Sequence, residues 1–200
     1  MGGIIEGMHT TLRLVLPLAA ALALAGCQAA APVAGNPTPA ASASASVAAN
    51  AADVMFAQMM IPHHEQAVTM SDLMLAKQGI SAQVTTLATQ IKGAQQPEID
   101  QMRGWLKAWG ATEGGDHMGH GGMDGMLTQQ ELDSLKTAQG KEAEKQFLTG
   151  MIGHHEGAIT MAKAVLANGS NTEVKTMAQS IITSQQAEID EMKKLLEALG

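Results

Sequence analysis

Cysteine is nearly absent: Cys27 is the only one in 200 residues, so the chain can form neither an internal disulfide nor a thiolate metal site. Any metal it binds must be held by imidazole, carboxylate or thioether. Aromatic residues are almost as scarce, with no tyrosine and only Phe56, Trp105, Trp109 and Phe147, so there is no stacking platform for nucleic-acid bases. Basic clusters are missing too. With 12 Lys and Arg against 19 Asp and Glu, the formal net charge is -7, and nucleic acid is excluded as a partner. No nucleophile–base arrangement, phosphate loop or redox cysteine pair is present, which removes hydrolase and nucleotide-dependent readings and points away from an enzyme. No stretch alternates with period two, so no strand is expected.

The one sustained apolar run, Leu14 to Leu24, follows Arg13 and is too short to span a bilayer. It ends in Leu24-Ala25-Gly26-Cys27, which has the form of a bacterial lipobox. Residues 1–27 therefore read as a lipoprotein signal peptide, with Cys27 lipidated as the membrane anchor of an exported protein on the cell envelope. Residues 28–52 are almost entirely Ala, Ser and Pro, a composition that cannot bury a core and acts as a tether. The folded domain is expected over 53–200.

What the chain does have is a duplication. Met59-Met60-Ile61-Pro62-His63-His64-Glu65-Gln66-Ala67-Val68-Thr69-Met70 returns ninety-one residues later as Gly150-Met151-Ile152-Gly153-His154-His155-Glu156-Gly157-Ala158-Ile159-Thr160-Met161. Downstream, Gln95-Gln96-Pro97-Glu98-Ile99-Asp100-Gln101-Met102 matches Gln185-Gln186-Ala187-Glu188-Ile189-Asp190-Glu191-Met192. Apolar residues recur at helical spacing through 53–77, 82–109, 142–167 and 172–199. Ser81 and Asn171 are expected N-caps, Thr128 opens a capping box for a short helix over 129–138, and Gly79, Gly110, Gly169 and Gly200 follow helix ends. Tight turns inside each half make each helix pair antiparallel. The expected fold is all-α: a four-helix bundle built from two duplicated antiparallel helix pairs, halves 53–110 and 142–200.

Projected at about 100° per residue, the third long helix has an apolar arc with His155 near its centre, His154 toward one edge and Glu156 just beyond the other. His64, His63 and Glu65 repeat the pattern. On the second helix of each half, Glu98 and Glu188 lie inside the apolar stripe, with Gln95 and Gln185 one turn earlier. An unpaired buried carboxylate is costly, so each requires a proton, a histidine from the facing helix, or a metal. The candidate metal ligands are thus His63, His64, His154 and His155, then Glu98 and Glu188, with Met60, Met102, Met151 and Met192 at i, i+4 spacing and Glu65 and Glu156 weakest. Core packing competes as a role for each methionine. Pro62 and its counterpart Gly153 each place a weak point before the histidines, from which a kink in the first helix is expected.

The joining segment 111–127 is too glycine-rich for a stable helix and carries His117, Met118, His120, Met123 and Met126. These are donors for soft or borderline metals and form a candidate auxiliary metal loop; a solvated linker is the competing reading.

The motif His63-His64-Glu65-x-Ala67-x-x-Met70, with its twin at His154-His155-Glu156-x-Ala158-x-x-Met161 and the two Gln-Gln-x-Glu-Ile-Asp-x-Met segments, resembles domain-of-unknown-function family 305. The resemblance covers about residues 53–200. It implies a ferritin-like helical bundle, often exported, with some members associated with copper or silver. Imidazole and thioether without thiolate suit copper, as Cu(I) or Cu(II), in an oxidising compartment, and copper binding, buffering or tolerance is the leading function. A di-iron or di-manganese oxidoreductase is an alternative, although its Glu-x-x-His signature is missing: Glu98 and Glu188 are followed at i+3 by Gln101 and Glu191. A metal-free structural lipoprotein module is the third reading, and a homodimer is left open.

Overall fold

A computed structural model of the chain describes residues 48–114 and 124–200. The described residues form five helices and no strand: α1 (Ala51–Leu75), α2 (Ala82–Trp109), α3 (Gln129–Thr137), α4 (Gly140–Asn168) and α5 (Thr172–Leu199). The four long ones make a bundle. Helices α1 and α2 pack as one pair and α4 and α5 as the other; α1 lies against α4 along the central seam, α2 touches α5 only lightly, and α3 crosses α1 and α4.

The start signals act as their chemistry requires. Ser81 and Asn171 cap α2 and α5 through their side-chain oxygens, and Thr128 with Glu131 forms the capping box of α3. Gly110 ends α2 in the left-handed region at φ 68°, where a side chain would be strained. The tether is shorter than its composition suggests. Asn50 caps α1 by accepting from the Ala52 and Asp53 amides, so the fold starts at Asn50 rather than residue 53. Helix α1 continues through Pro62 rather than starting there.

Two carboxylates tie the halves together reciprocally. Asp53, at the start of α1, is fully covered, and its Oδ2 accepts from the Asn50, Ser170 and Asn171 amides and from Ser170 Oγ at 2.8–3.1 Å. The duplicated counterpart, Glu144 at the start of α4, accepts from the Ser81 amide at 2.5 Å. Each half thus holds the inter-helix turn of the other with a buried carboxylate on backbone donors of that turn, charge-assisted bonds stronger than neutral ones. Burial alone would raise the Asp53 pKa, but the donors at Asn50, Ser170 and Asn171 outweigh it and the pKa is lowered.

The core is split in two. One apolar cluster joins the first half of α1 to the end of α2, the end of α4 and the start of α5, around Phe56, Met60, Met102, Leu106 and Ile181. The other collects the end of α1, the start of α2, the start of α4 and the end of α5, around Met70, Leu87, Phe147, Met151 and Met192. In every long helix a polar step lies between the two: His63 and His64, Gln95 and Glu98, His154 and His155, Gln185 and Glu188.

Candidate metal centre

The polar layer is built from the duplicated motif. His63, His64, His154 and His155 are all fully buried, and Gln95 and Gln185 nearly so. The imidazoles form a row across the α1–α4 seam. The His63 and His154 rings face each other at 3.7 Å between centroids, tilted by 41°, while His63 to His64 and His154 to His155 are 6.4 and 6.5 Å. At its outer ends the row meets carboxylates from the partner helices. His64 Nε2 donates to Glu98 Oε2 at 2.8 Å, and His155 Nε2 donates to Glu188 Oε2 at 2.6 Å. Both carboxylates are partly exposed, 21% and 19%, so they form the solvent-side ends of the layer.

A helical wheel for α1 or α4 marks one apolar arc, with His64 and His155 at its centre and His63 and His154 at its edge. In the bundle each of these helices contacts two long neighbours, so both edges of the arc are buried. His64 and His155 face α2 and α5 within their own half, and His63 and His154 make the contact between halves. The wheel therefore placed the outer dyads correctly and missed the central pair. Its only signal was the same histidine at the same edge in both copies.

Glu65 and Glu156 are exposed, as the wheel requires. Arg103 on α2 pairs with Glu65 and also with Glu113, and Lys193 on α5 lies 4.0 Å from Glu156. They are outward ion pairs at duplicated positions, remote from the layer's interior. Met60, Met102, Met151 and Met192 are fully buried, the first two in one core cluster and the others in the second. They bracket the histidine layer from either side, Met60 and Met151 one helical turn before His64 and His155. In the loop, His117, Met118, His120 and Met123 lie outside the described residues, as do Cys27 and the signal peptide; Met126 is half-buried.

The far end of that loop is pinned over the histidines. Gln66 of α1 donates to the Leu127 carbonyl and accepts from the Leu127 amide, at 2.9 and 2.7 Å. At the twin position on α4, Gly157 lets the loop backbone approach so closely that a Cβ there would lie 1.9 Å from the Asp124 carbonyl oxygen. A Cβ on Gly125 would meet the Gly153 carbonyl at 2.2 Å. Nothing in the sequence announces this clamp except that Gln66 and Gly157 break the repeat.

The electrostatics follow from burial. Desolvation, then the neighbouring His64, pushes His63 down to about 3; desolvation, then His63, holds His154 well below its ordinary 6.5. Backbone near Asp124 opposes the His63 shift and backbone at His63 opposes the His154 shift, neither in hydrogen-bond geometry. Both rings are therefore neutral at pH 7. Six ring nitrogens in the layer have no hydrogen-bond partner: both on His63, both on His154, and Nδ1 on His64 and His155. Both amide atoms of Gln95 and Oε1 of Gln185 are likewise unpaired. Each such buried group costs about 1–3 kcal/mol. His64 and His155 each engage a carboxylate through Nε2 and leave Nδ1 buried and unpartnered, the arrangement in which a second partner orients a metal ligand.

Among the described residues, no three His, Cys, Asp or Glu side chains converge on one metal-sized position. A carboxylate-bridged di-iron or di-manganese cluster is not assembled here, since Glu98 and Glu188 each turn to their own histidine. The arrangement offers instead a close pair of neutral imidazoles, two oriented outer imidazoles and four thioethers above and below. That donor set fits a soft ion of low coordination number.

Residues 53–196 match the model of a domain of unknown function, DUF305. The chain belongs to the DUF305 family. A DUF305 protein from Streptomyces coelicolor, described as secreted, is 36% identical over 74% of this chain and 92% of its own, with a TM-score of 0.70. A DUF305 fragment from Deinococcus radiodurans is 34% identical over 75% and 98%, with a TM-score of 0.69. CopM, solved with Cu(I), is 31% identical over 73% of this chain and 96% of its own, with a TM-score of 0.62; it has also been solved with Cu(II), with silver and in the apo form. An uncharacterized protein, L153, of Acanthamoeba polyphaga mimivirus is 46% identical over 54 residues, and the match spans about a third (36%) of that relative's length. The all-α duplicated bundle is thus the DUF305 fold. No helix among the described residues is long and apolar enough to cross a membrane.

Proposed function

We propose that this DUF305 protein binds copper at the cell envelope, buffering or passing Cu(I), and that the buried histidine layer is its core site. The observation that carries the reading is the set of six unpartnered imidazole nitrogens at the junction of two apolar cores. A buried layer of unpartnered imidazole nitrogens is an expensive thing to fold around unless an ion uses it. Support comes from CopM, which shares the fold at 31% identity and was solved with copper and silver. His63 and His154 would hold the ion, His64 and His155 would take part with Glu98 and Glu188 fixing their tautomer, and Met60, Met102, Met151 and Met192 supply thioether donors. Bound copper would satisfy the orphaned lone pairs; the chain supplies orientation and exclusion of water.

The N-terminal sequence supports export and attachment through lipidated Cys27, and the Streptomyces relative described as secreted agrees with export. The loop bearing His117, Met118, His120, Met123 and Met126 would be an auxiliary collector of ions.

The test is Cu(I) competition against a chromophoric chelator, with the wild type, a His63→Leu/His154→Leu variant and a loop variant with all five donors replaced. The core reading predicts that the histidine variant loses its tightest equivalent while keeping its helical circular dichroism. Retention of that equivalent in the histidine variant, with loss in the loop variant, would move the site to the loop.

A further inference from the structure

The bundle's duplication is also broken in how its two ends are covered. At the end of α1 and the start of α4, α3 lies over both helices, with Leu135 buried and Leu127 and Leu132 packed on the core. The twin location, at the start of α1 and the end of α4, has no such cover among the described residues. There a cleft of about 280 Å³ lies open, lined by Met55, Phe56, Met59, Met161 and Val165 among others, with no charged residue in its wall.

Three thioethers share that cleft. Met55 and Met59 are one turn apart on α1, and Met161 approaches from α4. Met55 is 58% exposed, and Met59 and Met161 are half-buried, whereas Met60, Met70, Met74, Met102, Met151 and Met192 are no more than 1% exposed. The duplication makes this asymmetry specific: the twins of Met55 and Met59 are Gln146 and Gly150, and the twin of Met161 is the fully buried Met70. Core packing accounts for the fully buried methionines and in part for Met161, but not for Met55 standing open beside Met59 and Met161 at the cleft.

We propose that Met55, Met59 and Met161 form a second, surface-exposed site for Cu(I) or Ag(I), independent of the histidine layer. Thioethers are neutral and soft, so three of them in an uncharged apolar cleft suit a monovalent soft ion and offer little to Zn(II) or Mg(II). Being accessible, the site exchanges ions with solvent directly, which the buried histidines do not.

The experiment is an Ag(I) titration of the full mature chain labelled with ¹³C at the methionine ε-methyls, each resonance assigned by a single Met→Leu change. The Met55, Met59 and Met161 methyls should move together along one binding curve, and Zn(II) should leave them in place. The M55L/M59L/M161L variant keeps the cleft apolar and should bind one Ag(I) fewer per chain, while the imidazole response of His63 and His154 to Ag(I) is unchanged. Three methyls that stay fixed through the titration, a variant with undiminished stoichiometry, or an equal response to Zn(II) would each overturn the proposal. Silent imidazoles beside responding cleft methyls would instead sink the core reading and leave this one standing.

Discussion

If the histidine layer is kept for an ion, the metal-free protein should be more stable without its central pair. The variant is His63→Leu/His154→Leu. Wild type buries four ring nitrogens on these two residues with no partner. At about 1–3 kcal/mol for each unpaired group, their removal outweighs the misfit of a differently shaped side chain, about 1–3 kcal/mol for the site. The low end of the first range, about 4 kcal/mol for the four nitrogens, set against that misfit leaves a net gain of about 1–3 kcal/mol, which for a domain of this size is a rise in Tm of roughly 2–12 °C. The assay is thermal unfolding by circular dichroism in chelator, then with Ag(I) added. Silver at a hundred times Kd should stabilise the wild type by about 2.7 kcal/mol from the core site, an increment the variant lacks. A metal-free variant less stable than wild type by more than about 1 kcal/mol would refute the reasoning, because it would mean that the imidazoles are already satisfied.

Metal-free wild type should also be acid-sensitive. Since His63 and His154 are depressed below 6.5 in the fold, the unfolded chain binds more protons below that pH; stability is full above pH 6.5 and falls as pH drops toward about 3, by roughly 1–2 kcal/mol per histidine at pH 5.5 in chemical denaturation, and a flat profile between pH 7 and 5 would contradict the burial argument. Asp53→Asn removes the anion that accepts from Asn50, Ser170 and Asn171, and should cost about 2–4 kcal/mol in urea unfolding. Gly153→Ala meets no atom within 4 Å and should stabilise by up to about 1 kcal/mol through helix propensity, whereas Gly157→Ala drives a Cβ into the Asp124 carbonyl, should destabilise, and should raise amide exchange at Leu127. Glu65→Gln and Glu156→Gln remove only exposed ion pairs and should leave Cu(I) affinity within about twofold, with under about 1 kcal/mol lost in stability.

Much of the fold was legible because the repeat writes each element twice. Helix positions, caps at Ser81, Thr128 and Asn171, and the dyads His64–Glu98 and His155–Glu188 all follow from periodicity and the cost of a buried carboxylate. The contacts between halves were not legible, because a helical wheel describes one helix against one partner. His63 against His154, Asp53 on the turn at Ser170 and Asn171, and Glu144 on Ser81 all depend on how the two pairs dock. The Gln66 and Gly157 clamp is hidden for a different reason. It depends on backbone approach, and a glycine inside a helix signals that only after the neighbouring chain has been placed.

The central claim is that copper belongs between the two cores. A crystal structure of the Cu(I)-loaded protein, with anomalous scattering collected at the copper edge, tests it most directly. An anomalous peak is expected at the α1–α4 seam, bonded to His63 and His154. Copper found only on the 111–127 loop or in the surface cleft, with no copper bonded to His63 or His154, would rule that placement out.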